Sequence, residues 1–96
     1  MIKIKDIGNE MDGITVEGRL VEKSEVKILE TRYGPALYAK AVLEDETGKI
    51  TLNLWRDQTK VEVGDIIRIE NGFTKFGELS VGKRGRILIL RKARSG

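Results

Sequence analysis

Apolar and polar residues alternate along most of this chain, with the period of two that marks a half-buried β-strand. Ile14-Thr15-Val16-Glu17-Gly18-Arg19-Leu20-Val21 shows it first, and the pattern predicts a strand running on to about Thr31. Gly18 inside that run predicts a bend or bulge, as a tightly curved strand needs. Arg32-Tyr33-Gly34-Pro35 reads as a turn. A second strand is expected over Ala36 to Leu43, with Leu37, Ala39, Ala41 and Leu43 facing inward. Asp45-Glu46-Thr47-Gly48 then predicts a hairpin loop with Gly48 left-handed, followed by the clean alternation of Ile50 to Trp55. Arg56 to Gly64 is polar apart from Val61 and Val63, and is too short and too β-branched to predict a helix. A fourth strand is expected over Ile66 to Glu70, a turn or bulge at Asn71-Gly72, and a hairpin arm through Glu78-Leu79-Ser80-Val81. Arg86 to Arg91 is expected to close the set. Short strands, Gly-rich turns and one long bent strand predict a small closed barrel. Residues 1–12 read as an extension that plugs one end, with Ile2, Ile4, Ile7 and Met11 toward the core.

Composition narrows what such a barrel does. Its 96 residues suit one domain and one core, so 1–96 is read as a single domain with a basic tail over 91–96. No run approaches the ~18 apolar residues of a membrane span, and Met1 to Asp6 has no apolar stretch of the secretory kind. A cytoplasmic, nucleoid-associated protein with no membrane partner is expected. The chain has no cysteine, which excludes disulfides and thiolate metal sites. It has no histidine, which removes the commonest general base and metal ligand. The chain is therefore read as a binder and not an enzyme, with no cofactor or metal. Charged residues make up 34% and Asn and Gln together number four, a pattern typical of thermophile proteins. The net charge of +3 is unevenly spread: residues 75–96 carry +6 and residues 1–74 carry −3. A basic last quarter attracts phosphates.

The aromatic residues sharpen this. Ile50, Leu52 and Leu54 share one face of their strand; Thr51, Asn53 and Trp55 share the other. The apolar face belongs inside, which puts the only tryptophan outside, where a large ring needs a reason. Leu79 and Val81 set an inward parity that leaves Phe76, Glu78 and Ser80 outward. Tyr38 shares a parity with Lys40, and Tyr33 lies in a turn. Phe73 follows Ile67 and Ile69 inward unless a bulge at Asn71-Gly72 reverses it. Exposed rings beside Lys and Arg suit unpaired bases, which stack on the rings while cations track the phosphates.

Three segments carry a resemblance. Leu43-Glu44-Asp45-Glu46-Thr47-Gly48-Lys49-Ile50-Thr51-Leu52-Asn53-Leu54-Trp55 is one. Val63-Gly64-Asp65, running into Ile69-Glu70-Asn71-Gly72-Phe73, is the second. Ser24-Glu25 with Thr31-Arg32-Tyr33-Gly34 is the third. Together they resemble archaeal single-stranded DNA-binding proteins of the replication protein A-like, OB-fold family, over roughly Lys5 to Ile87. The resemblance implies an all-β, five-stranded Greek-key OB barrel. It also implies base stacking on Trp55, Phe73 and Phe76, with an outward Phe73 and an apolar contact from Leu29. The expected binding set is completed by Tyr38 and by Lys27, Arg32, Lys40, Arg56, Lys75, Lys83, Arg84 and Arg86. The implied function is sequence-tolerant binding and protection of single-stranded DNA in replication, recombination or repair. A monomer is favoured, with replication or repair proteins as further partners. The alternatives are an RNA-binding OB domain, since stacking and phosphate contacts serve RNA equally, and a protein-interaction OB subunit of a replication protein A-like complex. In the latter, Trp55 and Phe76 would anchor a partner chain.

Overall fold

The inward positions of the alternating runs are aliphatic, and they meet in one lumen. The computed structural model describes residues 1–94; Ser95 and Gly96, the end of the expected basic tail, lie outside the described residues. Seven strands form: β1 (Ile14–Lys23), β2 (Lys27–Thr31), β3 (Gly34–Asp45), β4 (Gly48–Trp55), β5 (Ile66–Lys75), β6 (Glu78–Ser80) and β7 (Arg86–Arg91). Five of them close a circuit: β1 pairs with β3, β3 with β4, β4 with β6, β6 with β5, and β5 with β1. Every pairing in it is antiparallel except β4–β6, which meets in parallel at Leu52 and Leu79. This is the five-stranded OB barrel. The β2 strand stands outside the circuit as the outer arm of a ribbon with β3, and β7 runs along β5.

Val16, Leu20, Leu43, Leu52, Leu54, Ile67, Ile69 and Leu79 are fully buried in the lumen, together with Ala39 and Ala41 from β3. No aromatic ring belongs to this core among the described residues. One end of the lumen is stoppered by the N-terminal segment. Ile4 is buried, and Ile2, Ile7 and Met11 pack against the core. Backbone contacts hold the stopper: Ile2 N donates to Thr15 O (2.9 Å), and Met11 and Thr74 exchange two bonds through Thr74 Oγ1 and the main chain.

The sequence pattern predicted the barrel but misplaced several details. The long first strand breaks at Ser24 to Val26, where Ser24 N donates to Lys40 O (2.8 Å) and Lys40 N donates to Ser24 Oγ (2.9 Å). Gly18 serves close approach: a Cβ there would lie 2.6 Å from Glu44 O, where β1 passes β3. Leu37 is not inward. It is 44% exposed and Ala36 is buried instead, because this part of β3 pairs with β2 in a ribbon that stands off the barrel. Gly48 is not left-handed; the Asp45 carboxylate closes the turn by accepting from the Thr47 and Gly48 amides. The last strand forms over Arg86–Arg91 as expected, but it runs along β5, and the barrel itself is closed by β6. Residues Arg56–Lys60 form a short 3₁₀ turn.

Asp65 is buried and ties the C-terminal segment to the barrel. Its carboxylate accepts from Glu62 N (2.9 Å), Ala93 N (2.7 Å) and Lys92 Nζ (3.2 Å). Burial pushes the carboxyl up, but the two amides and the Lys92 ammonium together hold it below its ordinary value. The fold therefore favours the ionised form. That stability is present above the unfolded-state pKa of about 3.9 and is lost as pH falls through the lower folded value. Asp65→Asn is expected to cost about 1–3 kcal/mol at neutral pH, and the gap to the unmodified chain should narrow at pH 3. Urea unfolding at the two pH values measures it; a gap that stays constant would show that Asp65 is not an acid-sensitive anchor.

Candidate nucleic-acid interface

Outward positions of β2, β3, β4, β6 and the end of β5 form one continuous face. Cross-strand register places Lys27 beside Tyr38 and Tyr38 beside Trp55. The Tyr38 and Trp55 rings lie 4.6 Å apart between centroids and are tilted by 51°. Trp55 is half-buried with its indole on the outer side, as the β4 alternation predicts. Leu29 is on the same side of the ribbon, opposite the buried Ala36, and Arg32 lies in the exposed ribbon turn.

Phe73 reaches this face because β5 carries a bulge. Between Ile69 and Gly72 the register with β1 gains one residue, and Asn71 takes a left-handed φ of 56°. The inward positions change from Ile67 and Ile69 to Gly72 and Thr74, so Phe73, opposite Ser80, turns outward. Periodicity alone left this open. A shallow depression beside Phe73 is lined by Lys83, Arg84, Gly82 and Gly72.

Phe76 is at the tip of the β5–β6 hairpin and not within a strand. Phe76 and Gly77 are the two loop residues between the paired Lys75 and Glu78. Both have positive φ, 53° and 76°, as a type I′ turn requires. Asn is the favoured residue at the first of these positions; a bulky ring is strained there. The ring is nevertheless 82% exposed, with Lys75 Nζ 6.0 Å from its centroid. The strained turn position is thus not offset by burial of the ring.

The expected cations divide into two groups. Lys27, Arg32, Arg56, Lys75, Lys83 and Arg84 form no ion pair among the described residues. Lys40 and Arg86 are engaged. Arg86 Nε donates to Glu70 (2.7 Å), ending a ladder through Arg68 to Glu17. Lys40 Nζ meets Glu78 (3.4 Å).

Three polar residues of the face carried no role in the sequence reading. Gln58 accepts from Trp55 N (3.0 Å) and donates to Val81 O (2.8 Å), strapping the end of β4 to the segment after β6. Asn53 accepts from the Tyr38 hydroxyl and donates to Glu78 Oε1 (3.0 Å). For Asn53 and Glu78 the signal was their outward parity, shared with Trp55 and Ser80; for Gln58 there was none.

Fold and face together define an OB-fold domain that presents aromatic rings and cations on one side. By sequence the chain is similar to part of two archaeal proteins. It is similar to replication factor A of Methanothermobacter thermautotrophicus, 34% identical over 94 residues, which cover 92% of this chain and 12% of that protein. It is also similar to the single-stranded DNA binding protein Ssb of Saccharolobus solfataricus, 30% identical over 73 residues, covering 75% of this chain and 49% of that protein. The chain thus spans about half or less of the length of these relatives. The fold is shared with the solution structure of a replication factor A related protein from Methanobacterium thermoautotrophicum. The two are 23% identical with a TM-score of 0.75, over 99% of this chain and 94% of that one. It is shared as well with an OB domain from Thermoplasma acidophilum, 23% identical with a TM-score of 0.78, over 99% and 91% of the two chains. No protein-family model matches the sequence.

The strain at Phe76 makes a prediction of opposite signs. Phe76→Asn should stabilise the fold by about 0.5–1 kcal/mol, because Asn accepts the left-handed turn position, and should weaken ligand stacking at the hairpin tip. Thermal unfolding of the two proteins checks the first part. A lower melting temperature in the variant would mean that the ring holds the hairpin together.

Proposed function

We propose that this chain binds single-stranded DNA by stacking bases on Trp55, Phe73 and Phe76 while unpaired lysines and arginines hold the phosphates. The observation that carries the reading is where the rings lie. The core is aliphatic, and Trp55, Tyr38 and Phe73 share one outer face with Phe76 at its rim. Duplex DNA hides its base faces, so a row of open rings fits unpaired bases. The ring row suits stacking without reading sequence at each step. Lys27 and Arg32 on the ribbon, Arg56 after β4, Lys75 on the hairpin, and Lys83 and Arg84 beside Phe73 surround it. Leu29 adds an apolar contact from the ribbon. Tyr38 acts behind Trp55, setting the tilt of the indole. Lys40 and Arg86, already paired with carboxylates, contribute less to phosphate binding than the six unpaired cations. Sequestering and protecting exposed strands during replication, recombination or repair is the role such a face would serve; of this, the names of the two archaeal relatives support single-stranded DNA binding and a link to replication. The chain acts as a monomer in this reading, and replication or repair proteins are its further partners.

Titrating oligo-dT against the chain should quench Trp55 fluorescence, with an affinity that falls steeply as salt rises. No quenching at low salt with a long oligonucleotide would refute the proposal. Trp55→Ala should reduce binding by roughly 1–3 kcal/mol and reduce fold stability by only about 1 kcal/mol, through the lost Tyr38 contact. A collapse of the fold in that variant would make Trp55 a core residue. Oligo-rU of equal length, binding more tightly than oligo-dT, would assign the face to RNA.

A further inference from the structure

A carboxylate stands in the middle of this aromatic face, and side chains from two neighbouring strands hold it in place. Glu78 on β6 receives Asn53 Nδ2 from β4 at 3.0 Å on Oε1. It receives Lys40 Nζ from β3 at 3.4 Å on Oε2. Asn53 is itself fixed by the Tyr38 hydroxyl, whose ring leans on Trp55. The Tyr38 bond and the Glu78 bond define which end of the Asn53 amide is oxygen. The two oxygens of Glu78 thus have one protein partner each, and each keeps a further lone pair. The side chain remains 39% exposed, so those lone pairs open onto the face. Asn53, Lys40 and their hydrogen bonds keep the carboxyl below its ordinary value, hence ionised at neutral pH.

This arrangement is costly for a surface that only needs to hold phosphates. The carboxylate neutralises Lys40 and repels any phosphate that approaches it. An exposed Lys–Glu pair of this kind contributes little to stability. What the carboxylate can do is accept hydrogen bonds from a ligand that carries no charge of its own at that point. A nucleobase edge meets this description. Cytosine and adenine offer an exocyclic amino group, and guanine offers a ring N–H beside an amino group. Thymine and uracil offer a single ring N–H between two carbonyl oxygens, which face a carboxylate with like partial charge.

We infer, on the reading that this face binds single-stranded nucleic acid, that Glu78 is a base-edge acceptor that favours amino-bearing bases over thymine and uracil. Asn53 is its positioning residue, and Lys40 offsets part of its charge. Glu78 lies beside Lys75 and next to the Phe76 turn, on the strand adjacent to that of Trp55. The base it reads is therefore one that lies between the Trp55 and Phe76 rings. The carboxylate also turns the ligand: bases pass over Glu78, and phosphates keep to the unpaired cations at the rim.

The experiment compares oligo-dC and oligo-dT of equal length at fixed salt, read by Trp55 fluorescence, for the unmodified chain, Glu78→Gln and Lys40→Met. The unmodified chain should bind oligo-dC about three- to ten-fold more tightly than oligo-dT, as one hydrogen bond to an ionised acceptor at a wet site allows. Glu78→Gln replaces an acceptor-only group by one that also donates, and it releases Lys40. Both affinities should rise at low salt, oligo-dT by more, and the ratio should approach one. Lys40→Met keeps the carboxylate, so the ratio should persist or grow while both affinities fall. Binding of both oligonucleotides with the same ratio in the unmodified chain and Glu78→Gln would overturn the base-edge role and leave the stacking face standing. Binding of neither would overturn both.

Discussion

Five short strands close into a barrel only when their inward side chains fill the lumen without forcing it open. Here the filling is aliphatic throughout: Leu20, Leu43, Leu52, Leu54, Ile67, Ile69 and Leu79, with Ala39 and Ala41 from β3. Gly18 lets β1 and β3 pass at a distance no side chain would permit. With the lumen filled in this way, every ring in the chain is excluded from it. The same alternation that sends Leu52 and Leu54 inward sends Asn53 and Trp55 outward, so packing of the interior and composition of the outer face are one decision.

The bulge at Asn71 extends that decision to β5. A strand of strict alternation would have driven Phe73 into a lumen with no room for it. One added residue in a left-handed conformation turns the strand over, so its first half serves the core and its second half the face. The same turnover lets the end of β5 pair with β6, the strand that meets β4 and completes the circuit. Barrel closure and the outward Phe73 therefore share a single local cause.

Much of this was legible in the chain itself. The Trp55 parity needed only the run Ile50 to Trp55, because a clean period of two over a half-buried strand leaves one solution. The stoppering role of Ile2, Ile4, Ile7 and Met11 was readable for the same reason: four apolar residues in a polar segment have to be covered. What was not legible depends on partners distant in sequence. Leu37 looks inward by parity, but its stretch of β3 pairs with β2 away from the lumen. Arg86 and Lys40 look like free cations, and only the folded register brings Glu70 and Glu78 to them. Gly48 looks like a left-handed turn residue until Asp45 supplies the hydrogen bonds that make such a conformation unnecessary. The likeness to archaeal relatives carried the outward Phe73, which periodicity left undecided.

The Gln58 strap has a mechanical meaning. Its amide joins the backbone of Trp55 to that of Val81, bridging the end of β4 and the segment that leaves β6. β4 and β6 pair at one position, Leu52 with Leu79, the shortest ladder in the barrel circuit. A sideways load on the indole would otherwise pull on that seam at its end, opening it one bond at a time. With the strap in place the load enters both sides of the seam together and is resisted in shear. The ring at the end of β4 is thereby tied to the segment that follows β6 as well as to its own strand, so a load on it is shared across the seam.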